Sequence, residues 1–399
     1  MKRIFLTAAT ILSLLHARAQ KADTTGFGSR KLKLEEINLV SSYYKQDGNN
    51  AAVTGGTGSE HLTDIANIFD VKLVKYDKKN RKHSFDAEMG IDHYTSASSD
   101  KIDLKANSSA SHSDTRFYPS LNWSMENEDK GTTIGAGLSS STEFDYQSFG
   151  GNISFSQKTK NRNGELTAKL QAYLDQVGLV TPTELRTGGG GGREHDGDDF
   201  GYAARNTFAG SVSYTQIVNQ RMQVMLLADL VKQDGYLSLP FHRVYFADGS
   251  VHQENLPSSR LKIPLGIRAN YFAGDRFIIK TYYRFYKDDW GLISHTASIE
   301  LPVKITPFVS ISPVYRFYKQ TAIDYFSPYQ QHTAANSYYT SNYDLSAFNS
   351  NLYGANFRIA PPKGVLGIQQ WNMLELRYGH YTRSNGLNSD IISMNLRFK

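Results

Sequence analysis

The stretch FIIKTYYRFYK, Phe277–Lys287, decides the fold. Phe277, Ile279, Thr281, Tyr283 and Phe285 share one face of an extended chain, and Ile278, Lys280, Tyr282, Arg284 and Tyr286 share the other. Strand side chains point alternately to opposite faces, so this segment reads as a strand with one apolar and one polar side. The string Tyr-Arg-Phe-Tyr-Lys returns 32 positions later, at Tyr315–Lys319. There Val309, Ile311, Tyr315 and Phe317 take the apolar face, and Ser310, Ser312, Arg316 and Tyr318 the polar one. Two strands of about ten residues, with one turn and one loop, consume about thirty residues. The two strings are therefore predicted to be equivalent strands of neighbouring hairpins. Tyrosine and phenylalanine would face lipid near the outer interface, and arginine would face inward.

The same alternation runs elsewhere. Leu261, Ile263, Leu265 and Ile267 oppose Lys262, Gly266, Arg268 and Asn270. Ala297, Ile299, Leu301 and Val303 oppose Thr296, Ser298, Glu300 and Lys304, and Ile392, Met394, Leu396 and Phe398 oppose Ser393, Asn395 and Arg397. A soluble sandwich would alternate too, but strands of about ten residues with aromatics toward their ends fit a tilted crossing of a bilayer. Short turns are expected at 77–81, 127–131, 160–164, 218–221, 273–276 and 306–308, and long polar loops at 49–60, 97–114, 177–205, 234–257 and 324–345. Sixteen strands are expected, beginning near Ile37, Leu62, Lys82, Thr115, Thr132, Asn152, Glu165, Asn206, Met222, Arg260, Phe277, His295, Val309, Ser346, Met373 and Asp390. The fold class is then all-β, a transmembrane antiparallel β-barrel. An even strand number places both termini in the periplasm, with the long loops extracellular.

The amino terminus reads MKRIFLTAATILSLLHARAQ. Lys2 and Arg3 precede a short apolar run, and Ala17-Arg18-Ala19 suits cleavage, so residues 1–19 are expected to be a secretory signal peptide and residues 20–399 one barrel. Removing Lys2, Arg3 and Arg18 from the 44 basic residues leaves 41 against 38 acidic ones, so the formal charge falls from +6 to +3. That is weak attraction for any polyanion, and no nucleic-acid motif is present. The chain holds no cysteine, 25 tyrosines and 21 phenylalanines. Without disulfides or a second apolar run long enough for a helix to cross a bilayer, an exported chain of this kind again points to a barrel of the outer membrane. Such a chain would meet outer-membrane lipid and the barrel-assembly machinery. The segment between Gln20 and the first strand is too short for a globular plug, which argues against energised receptor-type uptake.

The stretch YTQIVNQRMQVMLLADLVKQDGYLSLPFHRVYF (Tyr214–Phe246), with YYRFYKDDWGLISHTASIEL (Tyr282–Leu301) and VYRFYKQTAIDYF (Val314–Phe326), resembles the bacterial outer-membrane barrel family catalogued as domain of unknown function 3570. The resemblance covers most of the mature chain and is strongest from Gly201 onward. It implies the barrel and brings no activity, cofactor or functional residue with it. It also implies a place beside an envelope redox system. The ending Arg397-Phe398-Lys399 departs from common barrel habit by placing the closing aromatic one residue early.

Several clusters invite a site. The run TGGGGGREHDGDDFG, Thr187–Gly201, lacks the Gly-Lys-Ser/Thr ending of a phosphate loop. Its Glu194, His195, Asp196, Asp198 and Asp199 offer oxygen ligands for calcium, but their spacing is not that of an EF-hand, and a solvated acidic loop is the simpler reading. Asp288, Asp289 and His295 fall near the outer end of adjacent expected strands, where an aspartate and a histidine could activate water, but carboxylates and histidines are ordinary there and a polar rim loop is the simpler reading. His112, His242, His252 and His332 are too scattered for a metal cluster. No catalytic residue, metal or cofactor is assigned, and the chain is not read as an enzyme.

The inward faces say more. Strands two and three carry Asp70, Asp86, Glu88 and Asp92, with Lys72 as the exception. From the tenth strand onward they carry Lys262, Arg268, Lys280, Arg284, Lys304, Arg316, Arg377 and Arg397, against Glu300 and Glu375. A barrel of this size is wide enough to hold water between an acidic and a basic wall. The expectation is a passive pore or transport-type channel for small hydrophilic solutes, anions among them. The alternative is a non-conducting structural or partner-binding barrel, its lumen filled by paired charges or by infolded loops, that holds a periplasmic partner protein.

Overall fold

The computed structural model describes residues 31–95, 113–185 and 201–399. Strands β1 (Lys33–Asp47), β2 (Leu62–Tyr76), β3 (Lys82–Thr95), β4 (Ser113–Asn127), β5 (Thr132–Thr142), β6 (Tyr146–Lys158), β7 (Gly164–Gly178), β8 (Tyr202–Asn219) and β9 (Met222–Gly235) follow in order, each antiparallel to the last. A small separate hairpin, β10 (Arg243–Tyr245) with β11 (Val251–Gln253), sits in the next loop. The main sheet resumes with β12 (Ser259–Ala273), β13 (Phe277–Asp288), β14 (Ile293–Glu300), β15 (Val303–Thr306), β16 (Val309–Gln320), β17 (Phe348–Ile359), β18 (Trp371–Arg383) and β19 (Asn388–Phe398).

Strand β14 and strand β15 are halves of one strand. Both keep the same register on β16, Ile299 opposite Tyr315 and Val303 opposite Ile311. They part at Pro302, which has no N–H to give the ladder. Counted as one, they leave sixteen strands in the main sheet. The last closes on the first, from Ile37 opposite Phe398 to Asp47 opposite Asn388, so no edge is left unpaired.

The outer face is apolar and uncovered. Leu121, Leu138, Ile153, Leu170, Leu226 and Leu230 are each more than half exposed. Water would penalise such a continuous band, whereas hydrocarbon does not. Tyr214, Tyr271, Phe277 and Phe308 stand by the short turns, while Tyr43, Phe117 and Phe149 stand toward the other end, forming two aromatic belts. The chain is therefore a transmembrane barrel that crosses with strands; among the described residues no helix is long and apolar enough to cross.

The sequence pattern places most strand starts within a few residues, with one clear correction. The sixth strand opens at Tyr146, not near Asn152, and pairs from the outset with Val177. Gly150 and Gly151 break the apolar rhythm there, and only the neighbouring strands show that the segment is extended. Loop length also sorts less cleanly than expected. The end with the long loops includes the tight connections 143–145, 289–292 and 384–387, and the opposite end includes the longer connection 360–370. The segments expected to be a signal peptide (1–19) and the acidic glycine run up to Asp199 lie outside the described residues, as do His112 and most of the expected 97–114 loop.

The tightest packing is found in the long loops. Arg243, His332, Val180, Val244, Thr340, Pro182 and Ser341 are the largest fully buried side chains, and all lie between barrel strands. One cluster joins Val180, Phe241, Val53 and Phe144; a second joins Trp290, Leu292, Leu256 and Ile323 with Tyr325, Phe326 and Leu345. The loops thus carry their own apolar core and form a cap at one end of the barrel.

Candidate functional site beneath the loop cap

Strand order shows where the cap lies. The β1–β2 and β9–β12 connections are borne on opposite sides of the ring, eight strands apart. Yet Arg243 Nη1 donates to Val53 O at 2.9 Å, and the Gly55 backbone packs against the Tyr245 ring. Loops rooted on opposite walls can meet only over the mouth. Gly56 makes a further crossing, so close to Ser341 O that a Cβ would stand 2.6 Å away. Its φ of +84° suits glycine alone among the ordinary residues.

The clasp centres on Arg243, which is 1% exposed. Its guanidinium forks onto Glu184, Nε to Oε1 at 2.5 Å and Nη2 to Oε2 at 2.9 Å, and lies 4.7 Å from the Phe241 ring. This bidentate geometry orients both loops as well as joining them. Glu254, also buried, accepts from Leu239 N and from the Thr340 hydroxyl, each at 2.6 Å. Glu60 lies in the β1–β2 loop, where burial and the nearby Asp344 carboxylate push its carboxyl up to about 7.

Under the cap lies a cavity of about 550 Å³. Arg284, Arg316 and Arg383 line it with Tyr282, Tyr318 and Tyr381. Ladder register brings the first two together: Arg284 faces Thr296, Thr296 faces Tyr318, and Ser298 faces Arg316. Arg383 donates to Asp344 Oδ1 at 2.5 Å and to the Tyr381 hydroxyl at 2.8 Å. Arg284 and Arg316 make no ion pair among the described residues; Arg284 lies 6.0 Å from the Tyr286 ring. A cation without a carboxylate partner keeps its charge available to an anion.

The other inner-face candidates fall into two groups. Lys280 pairs with Glu300 at 3.2 Å, Arg377 with Glu375 at 2.5 Å, and Arg397 with Glu36 at 3.3 Å. Arg268 lies 5.5 Å from the Tyr282 ring; it, Lys262 and Lys304 make no ion pair among the described residues. Arg268 and Lys280 line a second cavity of about 440 Å³ immediately beside the first. On the opposite wall Asp70 faces Glu88, and Lys72 faces Asp86. Asp70 accepts from Asn38 at 2.9 Å and Asp92 from the Tyr118 hydroxyl at 2.7 Å, while Lys72 pairs with Glu35 at 3.3 Å.

Asp288, Asp289 and His295 do not assemble as a catalytic group. Asp288 is buried and saturated: it accepts from Arg260 Nε at 2.9 Å, Tyr286 OH at 2.8 Å, and the backbone N–H groups of Trp290 and Leu292 at 3.0 Å. Asp289 accepts from Leu261 N at 2.9 Å. His295 lies on the outer face against Phe285, its Nδ1 2.8 Å from the Tyr283 hydroxyl. The carboxylate closes a turn and the imidazole faces away from it. His252 and His332 both pack on Phe246, at ring distances of 4.3 and 5.8 Å, and His242 stands 3.7 Å from Glu254.

Sequence reasoning missed Arg383, Tyr381, Phe348 and Asp344 in the cavity. Extending the alternation from Arg377 would have found Tyr381 and Arg383, which share its face. The cap residues Arg243, Glu184 and Glu254 carry no periodic signal.

The sequence profile of the proteins of unknown function DUF3570 matches residues 78–388. The chain belongs to that family. The matched region runs from the β2–β3 turn to the start of β19 and so contains the whole basic cavity and the Arg243–Glu184 clasp. No curated protein matches this DUF3570 chain. Among solved structures it is similar to a bacterial polysaccharide outer membrane secretin, at 10% identity with 91% of this chain and 98% of that one covered and a TM-score of 0.44. It is similar to Pseudomonas aeruginosa OccD3 (OpdP), at 8% identity, 95% and 94% coverage and a TM-score of 0.44. It is also similar to Acinetobacter baumannii OccAB1, at 11% identity, 95% and 99% coverage and a TM-score of 0.43.

Proposed function

We propose that this DUF3570 protein is an outer-membrane pore for small hydrophilic anions, its long-loop end narrowed by the folded cap. The observation that carries the reading is the pair Arg284 and Arg316, unpaired in a cavity directly beneath the cap. A small organic anion entering there would exchange its water for two guanidinium groups and the hydroxyls of Thr296, Ser298 and Ser350. The acidic wall of Asp70, Asp86, Glu88 and Asp92 lies across the lumen and holds the solute toward the basic side. In this reading residues 1–19 are a cleaved export signal, the short turns face the periplasm, and the cap faces outside. The barrel-assembly machinery inserts the chain. The protein acts as a conduit and not as an enzyme.

The test is conductance of the purified barrel in a planar bilayer under a potassium chloride gradient. The wild type should show discrete steps whose reversal potential favours chloride. Replacing Arg284 and Arg316 together by glutamine should move that potential toward zero. An unchanged potential would sink the assignment of these residues as the selective wall. The loops meeting over the mouth favour a second reading, a non-conducting barrel that binds a periplasmic partner. Silence from wild type shown to be folded by heat-modifiable mobility, with a periplasmic protein retained on purification, would favour that reading.

A further inference from the structure

At the capped end of the wall made by β4 to β7, three carboxylates converge away from the basic cavity. Asp114 is the second residue of β4, and Glu143 and Asp145 lie in the tight connection between β5 and β6. One oxygen from each lies within 4.8 Å of the others. Two oxygens bound to the same ion at about 2.4 Å can be no further apart than about 4.8 Å, and the three meet that requirement.

A second observation points to a ligand. Asp114 is 4% exposed, its Oδ1 accepts from Thr115 N at 2.6 Å, and its Oδ2 is enclosed without a hydrogen-bond donor among the described residues. A buried carboxylate oxygen in that state loses its hydration with nothing in return. Tyr94 OH and Phe144 N stand against the Asp114 carboxylate, yet among the described residues neither donates to Oδ2. Glu143 Oε2 accepts from Tyr94 OH at 2.7 Å, and Arg116 Nε stands 3.4 Å from Glu143 Oε1, offsetting one of the negative charges. The connection itself is held from both sides: Glu143 N donates to Tyr146 O at 2.8 Å, and Gly178 N donates to Asp145 O at 2.6 Å. The connection that carries Glu143 and Asp145 is thus fixed to the neighbouring strands by backbone bonds.

We propose that Asp114, Glu143 and Asp145 bind a hard divalent cation, calcium by the chemistry of its ligands. All the donors are oxygen, which excludes a thiolate- or imidazole-preferring metal. The ion would supply the missing partner of Asp114 Oδ2 and tie β4 to the β5–β6 connection at the rim.

Terbium luminescence on the full barrel in detergent, after chelator treatment, tests the site directly. Terbium takes calcium sites, and Tyr94 stands close enough to sensitise it. Wild type should bind one terbium saturably and release it to calcium. Asp114→Asn should weaken binding by at least about tenfold, as expected for a lost ligand. Tyr94→Phe should dim the emission while calorimetry finds the affinity little changed. If Asp114→Asn does not give a folded barrel, Glu143→Gln decides by the same tenfold criterion. Asp77→Asn, in a turn at the far end, should bind like wild type. The proposal fails if wild type shows no saturable binding, if the deciding variant binds as wild type does, or if Asp77→Asn weakens binding equally.

Discussion

Replacing Arg243 by alanine should release the cap. The side chain is fully enclosed and gives two hydrogen bonds to Glu184, one to Val53 O at 2.9 Å and one to Phe241 O at 3.4 Å. Its loss leaves the Glu184 carboxylate and two carbonyl oxygens without these donors. Removing one member of a buried ion pair costs about 3–5 kcal/mol. Because Glu184 is 36% exposed, water compensates part of this, and about 3 kcal/mol is the better figure. At about 1.4 kcal/mol per tenfold, cap opening should become on the order of 100 times more frequent. The effect should reach the β1–β2 loop, since Val53 belongs to it although it is rooted on the opposite wall. Amide hydrogen exchange reads this directly: Gly55 N, Gly56 N and Glu60 N are all hydrogen-bonded within that loop. Their protection should fall by roughly that factor while the strand amides stay protected. Arg243→Lys keeps the charge but not the fork, and should fall between. Unchanged protection at Gly55 and Gly56 in Arg243→Ala, with the barrel intact, would refute the clasp.

Other consequences follow from the same contacts. Glu60 has a carboxyl raised from 4.5 to about 7 in the closed cap by burial and by Asp344, with Arg383 and His242 as the opposing charges. The closed state therefore binds a proton more readily than the released loop, so its stability is greatest below about pH 4.5 and falls as pH rises through 7. Exchange of residues 48–61, corrected for intrinsic rates, should accelerate from pH 5 to pH 8, and Glu60→Gln should flatten the profile; a wild-type profile already flat would remove Glu60 as the cause. Gly56→Ala forces a side chain into φ +84° and to within 2.6 Å of Ser341 O, so it should open the same loop by about 1–2 kcal/mol or more in the exchange assay. Asp288→Asn can keep Oδ1 for the Trp290 and Leu292 N–H groups but loses the charge and the Oδ2 acceptor of Arg260 and Tyr286; it should lower the urea midpoint of the barrel's gel-shift transition, corresponding to a loss of about 3 kcal/mol of stability. If Asp288 were instead a general base with no structural role, that midpoint would not move.

The barrel was legible because its physics is local. Membrane strands must alternate, and Phe277–Lys287 carries that alternation in its own residues, so its faces, its length and the inward placement of Lys280 and Arg284 could all be read before any contact was known. The repeat at Tyr315 follows from the same demand on a neighbouring strand. Where the alternation lapses, as at Gly150 and Gly151, the strand start was misplaced. Which inner charges pair is not local: Lys280 and Arg284 lie on one face of one strand, yet the ladder sets only Lys280 beside a glutamate. The cap is further still from the sequence. Arg243, Glu184 and Val53 are distant along the chain, sit in segments without period, and meet only because the ring brings their loops to the same mouth. The order of residues along each strand decided that there is a barrel with charged inner walls. Closure of the ring decided that one end is covered, because loops from opposite walls meet only over the mouth; the pairing register of neighbouring strands set Arg284 beside Arg316 beneath the cover and Asp114 beside Glu143 and Asp145 at the rim.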